Sequence, residues 1–243
     1  MLWIGWSNAC AHWVSNMDNA AILSQLITWT PFLLEGFGWN ILIALSATVI
    51  GTALGSILAT LRLSSSPKTA HASTSVAATF YKLPTLAIMF YAAVLIPQEF
   101  QLPGTESVYP FPNWVKATLA LSVAQVGFTA HNLTASIKFW RKGEKEAALL
   151  FVPNWGSNLL ITIIASSSAS LVGVSELVSR CNKVINASAS TDLMIPIYLY
   201  ASLFFLSFCY PLTLLMKHVK HVLTKRHTER LPSIAELPHS IVE

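Results

Sequence analysis

Charged side chains are scarce in this chain of 243 residues: Asp, Glu, Lys and Arg make up only 11% of it, against about 25% in soluble globular domains. With 53% hydrophobic residues and a mean hydropathy of +0.56, that shortage excludes an ordinary soluble domain and points to a membrane protein. A span takes about 20 apolar residues. The length therefore holds about four to six spans with short loops and no separate soluble domain. Cysteine is scarce too: Cys10, Cys181 and Cys209 are too few and too scattered for a disulfide framework or a zinc site, and Cys209 reads as a small packing residue in an apolar run. No phosphate-binding loop, Gly-x-Ser-x-Gly elbow or His-Glu-x-x-His helix occurs, and no nucleophile stands with a base, so no enzyme class and no cofactor is implied. His218 and His221 share one side of a helical tail, but no carboxylate or cysteine completes a metal-ligand set. Residues 1–20 lack a basic start and a long apolar core, so a cleaved signal peptide is not expected.

Five long apolar segments are present, at about Trp39–Leu63, Val76–Ile96, Trp114–Ile137, Leu149–Val174 and Leu193–Met216. Leu26–Leu34 is apolar but interrupted by Pro31; it is too short to span and reads as an interfacial helix. No Lys or Arg precedes Arg62. With the leader outside, alternation puts Arg62 and Lys68, the loop around Lys138, Arg141, Lys142 and Lys145, and the tail with Lys217, Lys220, Lys225, Arg226 and Arg230 on the cytoplasmic side, eleven of the fifteen basic residues. Lys116, Arg180 and Lys183 remain outside, and Lys82 falls within the second span. The expected fold is an all-α integral membrane protein with five transmembrane helices, amino end outside and carboxyl end inside. It divides into an external segment (1–36), a transmembrane domain (37–216) and a cytoplasmic tail (217–243). The formal net charge of +4 is explained by this topology without a nucleic-acid partner.

Several polar features interrupt the spans. Gly51 and Gly55, followed by Ser56 and Thr60, form a small-residue face that suits close helix approach, or simply belong to a span rich in small residues. Lys82 and Pro84 interrupt the second run. A charge at membrane depth costs roughly 3 kcal/mol, so Lys82 faces a cavity, pairs, or snorkels, while Pro84 bends or breaks the helix as transporters do along a substrate path. Gln125 and Asn132 lie seven apart, on one face of the third span, with His131 beside them; packing hydrogen bonds and substrate contact are both open to them. Ser166, Ser167, Ser168 and Ser170 offer hydroxyls that line a pore or bond back to their own helix.

Taken together, these segments resemble the polar amino-acid permeases of bacterial ABC importers, the histidine, arginine and glutamine type. The stretch from Phe32 to Arg62, FLLEGFGWNILIALSATVIGTALGSILATLR, is similar to the opening of those permeases. ALSVAQVGFTAHNLTASIKFWRKGEKEAA, Ala120 to Ala148, lies without a gap on their third span and the start of their Glu-Ala-Ala loop, with Lys142, Gly143, Glu146, Ala147 and Ala148 at matching places. PNWGSNLLITIIASSSASLVGVSEL, Pro153 to Leu177, fits a later block. The resemblance implies a permease subunit in a bacterial inner membrane. Its implied partners are an ATP-binding subunit held by the Glu-Ala-Ala loop, a second permease, an external substrate-binding protein and membrane lipid. It also implies a translocation pathway past Lys82, Pro84, Gln125, His131, Asn132, Ser166 and Ser167.

The chain departs from the family where the loop should continue. Val152, Thr162, Ile164 and Ala165 stand where the family has Gly and Ile-x-Leu-Pro. If both blocks hold, roughly seventeen residues, about 25 Å of helix, are missing between them. Tyr81, Lys82 and Leu83 replace an Arg-Gly-Thr, and His131 replaces a carboxylate. The alternative reading is therefore a diverged structural or regulatory membrane subunit that has lost ATPase coupling.

Overall fold

The computed structural model describes residues 19–101, 108–189 and 191–230; the leader ahead of Asn19, with Asp18 and Cys10, and the tail past Arg230 lie outside the described residues. The chain is built of helices: α1 (Asn19–Arg62), α2 (Pro67–Lys82), α3 (Thr85–Leu95), α4 (Asn113–Arg141), α5 (Lys145–Leu149), α6 (Phe151–Ala165), α7 (Leu177–Ser188) and α8 (Met194–Arg230). A 3₁₀ segment, Ser166–Val172, continues α6. Between α3 and α4 a short antiparallel ladder pairs β1 (Glu99–Gln101) with β2 (Val108–Pro110).

Three stretches are long and apolar enough to cross a membrane: Ile22–Arg62, Lys145–Val172 and Met194–Arg226. These three are counted among the described residues; α2 with α3, bent by 92° at their junction, makes a fourth where the pair is taken as one broken span. Pro84 accounts for the break, since it offers no N–H and holds Leu83 extended, as a residue before proline tends to be. The protein is thus a multi-pass membrane protein of the all-α class, its short β1–β2 ladder confined to a connection. The fifth expected segment is α4, about 43 Å long at 1.5 Å per residue. It lacks the apolarity of the others because it runs through the middle of the bundle and buries Lys116, Thr118, Ser122, Gln125, Thr129 and Thr134 among its neighbours.

One sequence expectation is corrected. Pro31 does not separate an interfacial helix from the first span: α1 runs unbroken through it. The lost hydrogen bond is tolerated because this half of the helix is held laterally, with Leu26, Leu33 and Phe37 packed against Leu177, Cys181 and Val184 of α7 and Ile197 and Ala201 of α8. The polar stretch after the fourth span is also a helix, α7, with Leu177, Cys181 and Val184 on its buried side.

The small-residue face of α1 is used as its composition suggests. A Cβ on Gly51 would stand 2.2 Å from Cβ of Gln125, and one on Gly55 would stand 2.6 Å from Cβ of Thr129, so α1 and α4 touch almost backbone to backbone. Above this contact Ile43 and Ala47 meet Met89 and Ala92 of α3, Ala117, Ala120 and Leu121 of α4, and Ala169 and Val172 of the 3₁₀ segment. Large apolar side chains such as Val49, Val94, Ile161 and Leu199 point outward, where hydrocarbon rather than water suits them.

Candidate functional site

The break between α2 and α3 sits at a definable depth. Gly127 is half-way along α4, and a Cβ there would lie 2.4 Å from the Tyr81 nitrogen. Tyr81, Lys82 and Pro84 therefore stand level with the middle of α4. One turn further along α4, His131 stacks on Tyr81 with ring centroids 5.6 Å apart. Lys82, Pro84 and His131 are all exposed, so this expected group does come together, on an open face of the chain. Among the described residues no carboxylate pairs with Lys82; an ion pair elsewhere joins Arg180 to Glu35.

Gln125 belongs to a different place. It is buried and bridges three helices: its amide donates to the Thr48 hydroxyl of α1 (3.2 Å) and to that of Thr162 in α6, and its carbonyl accepts from Asn158. Trp155 Nε1 donates to Thr52 one turn below Thr48 (2.8 Å). Asn132, seven residues on, donates to its own helix at Phe128 (3.0 Å). Their shared face thus faces two surroundings.

The serine cluster mostly bonds back along its own turn, each hydroxyl of Ser166, Ser167, Ser168 and Ser170 donating to the carbonyl three residues earlier. Ser166 is buried and also accepts from Asn40 of α1 (3.1 Å). Ser167 lines an apolar groove of about 490 Å³ with Val178, Tyr198, Ser202, Phe205 and Cys209. The 3₁₀ segment ends at Gly173, whose φ of +86° permits the reversal toward α7.

Sequence reasoning missed the polar knot that this reversal creates. Glu176 is fully buried and caps α7: its carboxylate accepts from Val178 N–H (3.0 Å), Ser179 N–H (2.8 Å) and the Asn40 amide (3.1 Å), while Asn40 Oδ1 accepts from Leu177 N–H (3.1 Å). Burial raises the Glu176 carboxyl above its ordinary range, against the pull of these donors. Next to it the buried Arg180 donates twice to Glu35 (2.6 and 2.7 Å) and once to the Phe32 carbonyl (2.7 Å), with its guanidinium over the Phe32 ring. Lys116, also buried, donates to the Ile96 carbonyl at the end of α3 (2.9 Å), where a cation complements the helix dipole. The signal for the knot was available: an acidic residue directly before apolar positions at 177, 181 and 184 is a helix start.

The basic loop closes α4 tightly. Lys142, Gly143 and Glu144 donate their N–H groups to carbonyls of the last turn, and Gly143 takes a φ of +85°, the left-handed cap that glycine favours. Lys142 and Gly143 are exposed, and Gly143 has open space around it. Glu146 is half-buried, whereas Ala147 and Ala148 are buried, with Ser136 donating to the Ala148 carbonyl (2.7 Å). Lys145 lies 5.9 Å over the Trp140 ring. The helix that begins here, α5, lasts barely more than a turn before Leu150 leads into α6. The loop thus offers an exposed basic rim over a buried Ala-Ala floor.

No family model matches the chain. Two curated relatives, both named glutamate/aspartate import permease protein GltK, from Escherichia coli O6:H1 and Escherichia coli O157:H7, are each 26% identical to it over 141 residues, 58% of this chain. The matched stretch spans 63% of the relatives' own length. Among solved structures, a chain from the crystal structure of an amino acid ABC transporter with histidines superimposes with a TM-score of 0.65. It is 18% identical, and the match covers 81% of this chain and 98% of that one. The likeness is one of fold and takes in most of this chain.

Proposed function

We propose that this chain, a relative of the amino-acid ABC import permeases, is the membrane permease subunit of such an importer and forms half of its translocation pathway. The observation that carries the reading is the coincidence of two independent likenesses: sequence kinship to GltK over 141 residues and a fold shared with nearly all of a transporter chain. In this reading the chain crosses the membrane five times, through α1, the broken α2–α3 pair, α4, α5–α6 with the 3₁₀ segment, and α8. The distribution of Lys and Arg sets the leader outside and the tail inside a bacterial cytoplasmic membrane. Residues 37–216 form the permease body, and the chain itself is not an enzyme.

The pathway runs past the helix break, where Lys82, Pro84 and His131 lie exposed at mid-depth. An unpaired ammonium there costs roughly 3 kcal/mol against hydrocarbon, so this face turns to a polar cavity closed by the second permease. Gln125, Asn132, Ser166 and Ser167 are the further polar groups assigned to this pathway. An external binding protein delivers the solute, and lipid covers the remaining apolar surface. Nucleotide-dependent movement reaches the pore through a contact that differs between two states, and the rim of Lys142, Gly143 and Glu146 over Ala147 and Ala148 supplies that contact.

The brevity of α5 favours a second reading, a structural or regulatory subunit that keeps the membrane fold without coupling. The two are separated by expressing the protein with the ATP-binding subunit encoded beside its gene and by measuring amino-acid uptake after deletion. A detergent-stable complex weakened by Glu146→Lys, together with lost uptake, is the expected result. Unchanged uptake and no complex would leave only the second reading.

A further inference from the structure

We propose that the solute led past the helix break is an anionic amino acid, whose carboxylates are received by Lys82 at the break and by Arg62 about a turn deeper. This rests on the importer reading and deepens it by naming the class of solute.

The charges at this depth are all of one sign. Lys82 is exposed level with the middle of α4 and has no carboxylate partner among the described residues. Arg62, in the last turn of α1, donates from Nη1 to the carbonyl of Ala130 (3.2 Å), the residue before His131. Its Nε is buried and finds no acceptor among the described residues. A buried donor left open is costly, and a charged one of this kind suits a carboxylate oxygen. No side chain caps the start of α3 at Pro84, so the positive end of that helix adds to the same field.

Carboxylates stand far off in both directions. Gly51 and Gly55 of α1 meet Gln125 and Thr129 of α4, which sets Ala53 level with Gly127 and so with the break. Outward, Glu176 is tied to Asn40 (3.1 Å), about 20 Å along α1 from Ala53 at 1.5 Å per residue. Inward, Glu146 lies in the loop past Ser136, which donates to the Ala148 carbonyl (2.7 Å); Ser136 is itself about 13 Å along α4 from Gly127. Glu35 is farther out than Asn40 on α1. The other acidic positions among the described residues fall in β1, the basic loop, the turn before α8 and the end of α8.

Neither lipid nor a second copy of this chain supplies the missing counter-charge. Gly127 has about 21 Å of α4 on either side, whereas the hydrocarbon extends roughly 15 Å from its centre, so phosphate headgroups are remote from a side chain at mid-depth. A second copy brings the same two cations and no carboxylate at this level. An amino acid with two carboxylates supplies it and keeps a net negative charge beside its own ammonium. A cationic amino acid meets repulsion from both side chains.

The test measures binding of radiolabelled L-glutamate to the full-length protein in detergent, held with the ATP-binding subunit encoded beside its gene. No external binding protein is added, so that any selectivity belongs to the permease. Unlabelled L-aspartate is expected to displace the label, and L-arginine at the same concentration to leave it bound. Lys82→Gln is expected to weaken binding about tenfold, the scale of one charged hydrogen bond, and Lys82→Glu to abolish it. Lys82→Arg should keep the preference for L-glutamate over L-arginine. Because Lys82 is exposed, yield and melting temperature should stay as in the wild type. No binding of L-glutamate by the wild-type complex, displacement by L-arginine as effective as by L-aspartate, or undiminished binding by Lys82→Gln overturns the assignment and leaves the importer reading standing. Failure of the wild type to form a complex with the ATP-binding subunit overturns both.

Discussion

The main-chain contact of Gly127 with the end of α2 gives the sharpest prediction. A methyl group on Gly127 would meet the Tyr81 nitrogen at 2.4 Å and the Phe80 carbonyl carbon at 2.7 Å. Both are main-chain atoms, so no side chain can swing away. Reaching an ordinary contact of about 3.4 Å requires α2 to retreat from α4 by about 1 Å, an overpacking that typically costs 1–3 kcal/mol and here falls toward the upper end. Helix propensity returns about 1 kcal/mol for Gly→Ala, leaving Gly127→Ala destabilised by about 1–2 kcal/mol. Gly38→Ala is the internal control, because nothing lies within 4 Å of its added methyl and it should gain the propensity term alone. The melting temperature of the purified protein in detergent is expected to fall by about 2–8 °C for Gly127→Ala at 2–4 °C per kcal/mol and to hold or rise for Gly38→Ala. Because the retreat moves the helix break carrying Lys82, uptake by the intact importer should fall as well. Equal stability of the two variants would refute the contact and, with it, the depth assigned to the break.

Three further predictions concern the knot between α1 and α7. Asn40→Ala leaves the Leu177 N–H without its acceptor and Glu176 short of one donor; orphaned buried groups cost about 2–3 kcal/mol, measurable as faster proteolysis around α7. Glu176 has its carboxyl pKa raised by burial above the ordinary 4.5, so the fold holds that proton more tightly than the unfolded chain does. The stability this confers is present in full below the unfolded pKa and is lost as pH rises through the folded pKa. Melting temperature should therefore decline with rising pH more steeply in the wild type than in Glu176→Gln, and parallel curves would contradict the assignment. Cys181 is buried and its thiol is pushed up to about 12, chiefly by burial and then by the charge of Glu176. N-ethylmaleimide at neutral pH should leave it unmodified until the protein is denatured, and rapid labelling of the native protein would show that α7 is not seated as described.

What the sequence made legible follows from how local each cause is. Pro84 breaks its helix because a missing N–H acts within one turn, and the Gly51–Gly55 face mates with α4 because small residues leave a gap wherever a partner lies. Pro31 carries the same chemical defect, yet α1 continues, since packing on α7 and α8 outweighs it; that packing joins residues far apart in the chain and leaves no trace in the neighbourhood of Pro31. Polar residues were harder for the same reason. Gln125 and Asn132 share a spacing but not an environment, one bridging three helices and the other bonding to its own. Lys116 and Arg180 read as external charges by count, whereas the fold buries both against carbonyls and a carboxylate that only the tertiary arrangement supplies.

The account depends most on the direction in which the chain threads the membrane, and labelling of single cysteines in intact cells tests that directly. In a background lacking Cys10, Cys181 and Cys209, Lys183→Cys should react with a membrane-impermeant maleimide from outside, whereas Lys142→Cys should react only after the membrane is opened. Labelling of both positions from the same side would contradict the topology, the placement of the coupling loop in the cytoplasm and the importer built on them.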